Sequence, residues 1–228
     1  MARLQRLWPL RCLLCGAPAG DTGLCAACAA ELPRNRCCCA RCALPLPWPA
    51  ASCGGCQRRA PPWIAAWAPF RYGWPLDRLE SRYKFSGQLA AGRALAEQWT
   101  RCGPLPARPD AMVAVPLHRA RLRQRGYNQS LELARVLARR WRIPLRRDLL
   151  ERTRATAAQT DLDARARRRN VRGAFRVPTG VVVPAHVVVL DDVMTTGTTL
   201  AECARTLLRA GAGRVDVWAL ARAPAPHD

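Results

Sequence analysis

From Trp63 onward the chain alternates short apolar runs with amphipathic stretches. Met112-Val113-Ala114-Val115 is an unbroken apolar run ended by Pro116, the pattern of a strand buried on both faces. Val187-Val188-Val189-Leu190 repeats that pattern, and Val215-Asp216-Val217-Trp218-Ala219-Leu220 gives a third strand. After the first run, Gly126-Tyr127-Asn128-Gln129-Ser130 opens a helix, with Leu133, Val136, Leu137 and Trp141 on one face. Between the last two runs, Leu200, Cys203, Ala204, Leu207 and Leu208 recur at i, i+3, i+4, i+7 and i+8. That is an amphipathic helix, and Gly211 stops it. Strand, loop, helix and strand in this order predict a right-handed βαβ unit in a mainly parallel sheet flanked by helices. The expected fold class is α/β.

The first 60 residues lack such a pattern and are marked instead by cysteine. Ten of the twelve cysteines fall between Cys12 and Cys56. Four C-x-x-C pairs can be read: Cys12/Cys15, Cys25/Cys28, Cys39/Cys42 and Cys53/Cys56. One such turn places two thiolates on an edge of a tetrahedral zinc ion, and a second supplies the opposite edge. Two four-cysteine sites are expected, each a zinc ribbon or knuckle with no open coordination position, so the zinc is structural. Spacing leaves the pairing open, sequential or interleaved, with Cys37 or Cys38 able to replace Cys39; an iron–sulfur cluster is the chemical rival. A stretch this rich in Pro, Arg and Ala buries little core, so metal binding supplies folding free energy. The expected division is a zinc module over residues 1–60 and an α/β domain over 61–228, with Pro61-Pro62 at the boundary. Loss of metal is then expected to loosen the module locally.

Charge narrows the partners. There are 37 basic and 16 acidic residues, net +21, and Lys84 is the only lysine. Such a field attracts phosphates, nucleic acid or anionic membrane. Residues 117–172 carry 17 arginines against five acids, a local excess of +12, densest at Arg165, Arg167, Arg168 and Arg169. That exceeds what one small anion needs, and a single-stranded phosphate backbone would use it. No apolar run reaches transmembrane length, and the start lacks a signal-peptide core, so a cytoplasmic location with reduced thiols is expected. His118, His186 and His227 have no partner at ligand spacing. His118 is placed to touch phosphate; the other two read as surface residues.

The candidate chemistry lies in Asp191-Asp192-Val193-Met194-Thr195-Thr196-Gly197-Thr198-Thr199, between the second strand and its helix. A helix N-terminus favours a phosphate, Gly197 lets the backbone approach it, and the threonines add donors. Two adjacent carboxylates suit the hydroxyls of a vicinal diol. Diol and phosphate at this spacing describe a ribose 5-phosphate.

Residues 187–199 resemble the signature of type I phosphoribosyltransferases. Arg125-Gly126-Tyr127-Asn128-Gln129, Arg152 with Thr156 and Gln159, Asn170 with Gly173-Ala174-Phe175, and Tyr83-Lys84-Phe85 with Gly87 resemble the ComF/GntX family. With the C-x-x-C pairs, this resemblance covers nearly the whole chain. It implies a zinc finger joined to a type I phosphoribosyltransferase-like domain that binds phosphoribosyl pyrophosphate with Mg²⁺. It also implies a part in DNA uptake during competence, with competence-machinery proteins as partners. By the same resemblance Asp191 and Asp192 contact the ribose hydroxyls, and Thr195, Thr196, Gly197, Thr198 and Thr199 cradle the 5-phosphate. Lys84, His118 and Arg119 become pyrophosphate contacts, and residues 152–172 a lid. A salvage phosphoribosyltransferase with an unidentified acceptor is the alternative function. Breaking the ribose–pyrophosphate bond through a cation-like transition state would rest on electrostatics, Mg²⁺ and exclusion of water.

Overall fold

The computed structural model describes residues 10–103, 105, 107–154 and 171–225. Its strands are β1 (Ala66–Trp67), β2 (Phe70–Arg71), β3 (Ala111–Ala114), β4 (Glu151–Arg152), β5 (Phe175–Arg176), β6 (His186–Met194) and β7 (Arg214–Arg222). Its helices are α1 (Ala26–Ala30), α2 (Gly54–Arg58), α3 (Leu76–Phe85), α4 (Leu89–Thr100), α5 (Arg119–Arg125), α6 (Gln129–Trp141) and α7 (Thr198–Arg209). The three apolar runs form β3, β6 and β7, and the sheet order is β1-β7-β6-β3, all parallel. β2 pairs with β7 in the register that β1 begins: Ala66 lies opposite Val217 and Phe70 opposite Ala221. They are one edge strand interrupted at Ala68-Pro69, where proline has no N–H to give. β4 and β5 form a separate antiparallel pair.

Alternation along the strands divides the core. Met112, Ala114, Val188, Leu190, Trp218 and Leu220 face the side covered by α3, α4 and α6. Ala111, Val113, Val187, Val189, Val215 and Val217 face α7. Asn128 caps α6, its Oδ1 accepting from Ser130 N at 3.0 Å. The expected helix thus begins after Asn128, and Gly126, at φ 83°, ends α5 before it.

The cysteine-rich segment sits on both sides of this sheet. Cys12, Leu24, Cys28 and Leu32 are buried in the cluster with Leu76, Leu95 and Trp99. Cys39, Cys42, Ala43 and Trp63 are buried in the opposite cluster with Val189, Leu200 and Leu207. The chain crosses over along the edge strand, where Asn35 N donates to Pro69 O and Arg71 N to Pro33 O, both at 2.8 Å.

On the first face α3 and α4 meet at Gly92, where a Cβ would lie 2.3 Å from the ring of buried Tyr83. Gly92→Ala is therefore expected to push the helices apart, at roughly 1–3 kcal/mol for overpacking. Chemical denaturation of the variant checks this; an unchanged midpoint would show that Tyr83 moves aside freely.

Candidate functional site

Parallel pairing with β7 carries β6 beyond its apolar run, through Asp191 and Asp192 to Met194. The two acids thus stand on a strand held by backbone bonds. Asp191 Oδ1 also accepts from Asp192 N at 3.0 Å, so the two carboxyl groups stay close enough to influence each other's charge. Gly197, at φ 71°, then turns the chain into α7. A Cβ there would lie 2.8 Å from Met194 Cε and 3.1 Å from Trp63 Cη2, so the turn has room for glycine only. Thr195 and Thr196 are exposed, and Thr198 and Thr199 are half-buried. The hydroxyls of Thr196 and Thr198 lie 2.7 Å apart. The loop therefore presents hydroxyl groups and a helix N-terminus immediately after two carboxylates.

The carboxylates are held by residues from other elements. Ser130 Oγ, in the first turn of α6, donates to Asp191 Oδ1 at 2.8 Å. Lys84 Nζ, near the end of α3, lies 3.0 Å from Asp192 Oδ2 and 3.2 Å from Glu80 Oε1. Lys84, a pyrophosphate contact by the resemblance, bridges the carboxylates of Asp192 and Glu80 and orients Asp192. Burial, and then the neighbouring Asp192 charge, pushes the Asp191 carboxyl up to about 8. Burial also pushes Glu80 up to about 7, against the pull of Lys84. For Asp192 burial is outweighed by the Lys84 charge, which holds that carboxylate below its usual range. For Lys84 burial is outweighed by Asp192 and Glu80, which keep it charged. Glu80, four residues before Lys84, is legible only as a helical ion pair; its place at the site depends on the fold.

An open cleft of ≈ 420 Å³ is lined by His118, Arg119, Glu151, Arg152, Thr153 and Arg176. It brings His118 and Arg119 together with two arginines of the β4–β5 pair that sequence reading did not assign to the site. His118 caps α5, its Nδ1 accepting from Ala120 N at 3.3 Å. Burial holds the Arg152 guanidinium below its usual range, and the Arg121 charge adds to that while Asp191 opposes it. His186 is no plain surface residue: its Nε2 lies 2.8 Å from Asp216 Oδ2, at the opposite end of the sheet from the loop. Thr156, Gln159, Arg165, Arg167, Arg168, Arg169, Asn170 and His227 lie outside the described residues.

The thiols fall into two groups, Cys12, Cys15, Cys25 and Cys28, and Cys39, Cys42, Cys53 and Cys56, with the ligand atoms of each within 4.8 Å of one another. The pairing is thus sequential, and Cys37 and Cys38 belong to neither group. Four soft thiolates in reach of one point, all used by the protein, are a donor set for tetrahedral structural zinc.

Residues 3–67 match the double zinc ribbon domain. The chain is thus a zinc-ribbon protein built on a parallel α/β sheet. It is 38% identical over 223 residues to the DNA utilization protein YhgH of Escherichia coli K12, covering 94% of this chain and 97% of the relative. It is 32% identical over 231 residues to competence protein F of Haemophilus influenzae, covering 96% and 100%. The chain belongs to the ComF family. Among solved structures it is similar in fold to the glutamine phosphoribosylpyrophosphate amidotransferase of Bacillus subtilis, at 23% identity and TM-score 0.36, over 57% of this chain and 25% of that one. A hypoxanthine phosphoribosyltransferase of Trypanosoma cruzi gives 13% identity and TM-score 0.31, over 65% and 75%. Among the described residues, no helix is long and apolar enough to cross a membrane.

Proposed function

We propose that this protein binds phosphoribosyl pyrophosphate at residues 191–199 and acts on single-stranded nucleic acid in DNA uptake or use. The observation that carries the first part is the succession of Asp191 and Asp192 on β6, the threonine loop and the start of α7. The carboxylates take the ribose hydroxyls, Thr195 to Thr199 hold the 5-phosphate, and the cleft of His118, Arg119, Arg152 and Arg176 receives the pyrophosphate. Adjacent carboxylates and pyrophosphate oxygens are hard donors of the kind Mg²⁺ takes, so the ion would arrive with its ligand. Residues 1–60 serve as the zinc module and 61–228 as the ligand-binding domain, in the cytoplasm, where thiols stay reduced. A titration of phosphoribosyl pyrophosphate with Mg²⁺, with and without single-stranded DNA, tests the reading. Absence of saturable binding would refute the ligand assignment.

The raised Asp191 carboxyl gives that titration a pH signature. Ribose hydroxyls donate to the ionised form, so binding lowers its pKa and drives a proton off the Glu80–Asp191–Asp192 cluster. Affinity should rise as pH increases through about 8, where Asp191 of the free protein ionises. At pH 7 (below that value) binding should release close to one proton, which fades above about pH 9. Calorimetry in buffers of different ionisation heat measures the release; a heat independent of buffer at pH 7 contradicts it.

The nucleic-acid part rests on the +21 net charge and on what the relatives are named for. Within the described residues, a second open cleft of ≈ 590 Å³ offers Arg34, Arg36 and Arg71 beside apolar Leu32 and Leu46. Neutralising about five phosphates should give a slope of log K against log salt near −3.5, from roughly 0.7 per phosphate on single strands. Changing Arg165, Arg167, Arg168 and Arg169 together to Ala should flatten that slope and leave zinc content unchanged. A flat salt dependence in the wild-type protein counts against the DNA part alone.

A further inference from the structure

Arg222 ends β7, opposite Met194 at the end of β6. Its side chain does not leave for solvent but is buried, at 8% exposure. Nε donates to Cys42 O at 3.0 Å, and Nη1 donates to Met194 O at 3.1 Å, to Ala223 O at 2.7 Å and to Thr195 O. Among the described residues no carboxylate lies within ion-pair distance of it. Burying a guanidinium against carbonyls alone is costly, and a surface arginine would hold a strand end as well. What these carbonyls share is position: Cys42 belongs to the second cysteine group, while Met194 and Thr195 open the threonine loop. Four thiolates around one divalent ion leave a net negative charge, for which a buried guanidinium is a fitting neighbour.

A second strut runs in parallel. Trp63 Nε1 donates to Arg41 O at 2.6 Å, next to Cys42, and its ring packs where Gly197 has no side chain. Both struts begin in the turn that carries Cys39 and Cys42 and end in the loop. The first cysteine group lies on the other face of the sheet, against Leu76, Leu95 and Trp99. In the described residues it makes no hydrogen bond to residues 194–199.

We infer that Arg222 is a positioning residue of the threonine loop, and that through Arg222 and Trp63 the second cysteine site sets how tightly residues 195–199 hold an anion. The affinity half of this rests on the reading of 191–199 as the phosphoribosyl pyrophosphate site. The shape of the loop does not, because the bonds that hold it run between groups of the protein itself. Zinc loss from the second site then lowers ligand affinity, while zinc loss from the first loosens the α3–α4 face instead.

The test uses the full chain, with Arg222→Met, Arg222→Lys, Cys53→Ser and Cys15→Ser. Zinc per chain, amide exchange at residues 195–199 and titration with phosphoribosyl pyrophosphate and Mg²⁺ are measured below each variant's melting temperature. Arg222→Met should keep both zinc ions, exchange the loop amides about tenfold faster, and bind about tenfold more weakly, the loss of a charged hydrogen-bond donor set. Arg222→Lys should recover part of both effects, which a side chain that only fills space would not allow. Cys53→Ser should reproduce the loop effect and Cys15→Ser should not. Unchanged exchange in folded Arg222→Met, or equal loop effects from the two cysteine variants, overturns the inference. Should Arg222→Met fail to fold, Arg222→Lys and the cysteine pair decide. A wild-type chain that binds no phosphoribosyl pyrophosphate would refute the ligand reading, and amide exchange would still decide the coupling.

Discussion

Replacing Asp191 and Asp192 together by Asn is expected to weaken phosphoribosyl pyrophosphate binding by about 3–6 kcal/mol, from roughly 1.5–3 for each charged hydrogen bond lost. That is on the order of a hundredfold to ten-thousandfold in affinity. The fold should tolerate the change better than the ligand does. Ser130 Oγ donates to Asp191 Oδ1, and an amide oxygen accepts that bond equally well. Burial already disfavours the Asp191 charge, so a neutral amide removes a cost as well as a function. Asp192→Asn takes one carboxylate from Lys84 but leaves it paired with Glu80. The single variants therefore separate two roles. Asp191→Asn should bind poorly with stability kept or raised, whereas Asp192→Asn should lose some of both. Titration beside a denaturation curve reads the two effects. Unchanged affinity in the double variant would place the ligand elsewhere and reduce 191–199 to an ordinary strand-to-helix turn.

Legibility followed the range of the interactions. Val187–Leu190 and Val215–Leu220 could be read as strands because both faces are buried and every side chain but Asp216 is apolar. The continuation of β6 through Asp191 and Asp192 could not, since ladder hydrogen bonds to β7 do not depend on side chain and no apolar residue marks them. β1 and β2 are two residues each and owe their extension to pairing with β7 and with residues 33–35, so no local period announces them. The loop chemistry was legible because one contiguous segment holds carboxylates, threonines and glycine. The groups that tune it come from α3, α6 and the end of β7: Lys84, Glu80, Ser130 and Arg222. The resemblance implied a pyrophosphate contact for Lys84, and only the fold brings it to Asp192. Sequential pairing of the cysteines was likewise settled by folding, not by spacing.

Removing zinc from the reduced protein should lower the melting temperature of the whole chain, not of its first 60 residues alone. α1 and α2 are five residues each, too short to persist unaided, so residues 10–58 depend on their metal. Structural zinc contributes about 10–16 kcal/mol in isolated fingers at neutral pH, and here that free energy is shared with the sheet. Leu24 and Leu32 are buried with Leu76, Leu79, Leu95 and Trp99, so unfolding of the first ribbon uncovers one face of the sheet. On the other face Cys39, Ala43 and Trp63 are buried with Val187, Val189 and Leu200. Uncovering two such large apolar side chains costs roughly 4–6 kcal/mol if each loses about 2–3. For a chain of this size that corresponds to a fall of about 10–20 °C. The tryptophans report it from within, because Trp67, Trp99, Trp141 and Trp218 form one contacting group with ring centroids 5.4 to 5.8 Å apart. Chelator titration, with released zinc measured beside tryptophan emission and the melting curve, should show emission shifting red in step with zinc loss. A zinc-free chain with unchanged emission and melting temperature would mean that the ribbons merely lie on the sheet, and that the shared core contributes no cohesion.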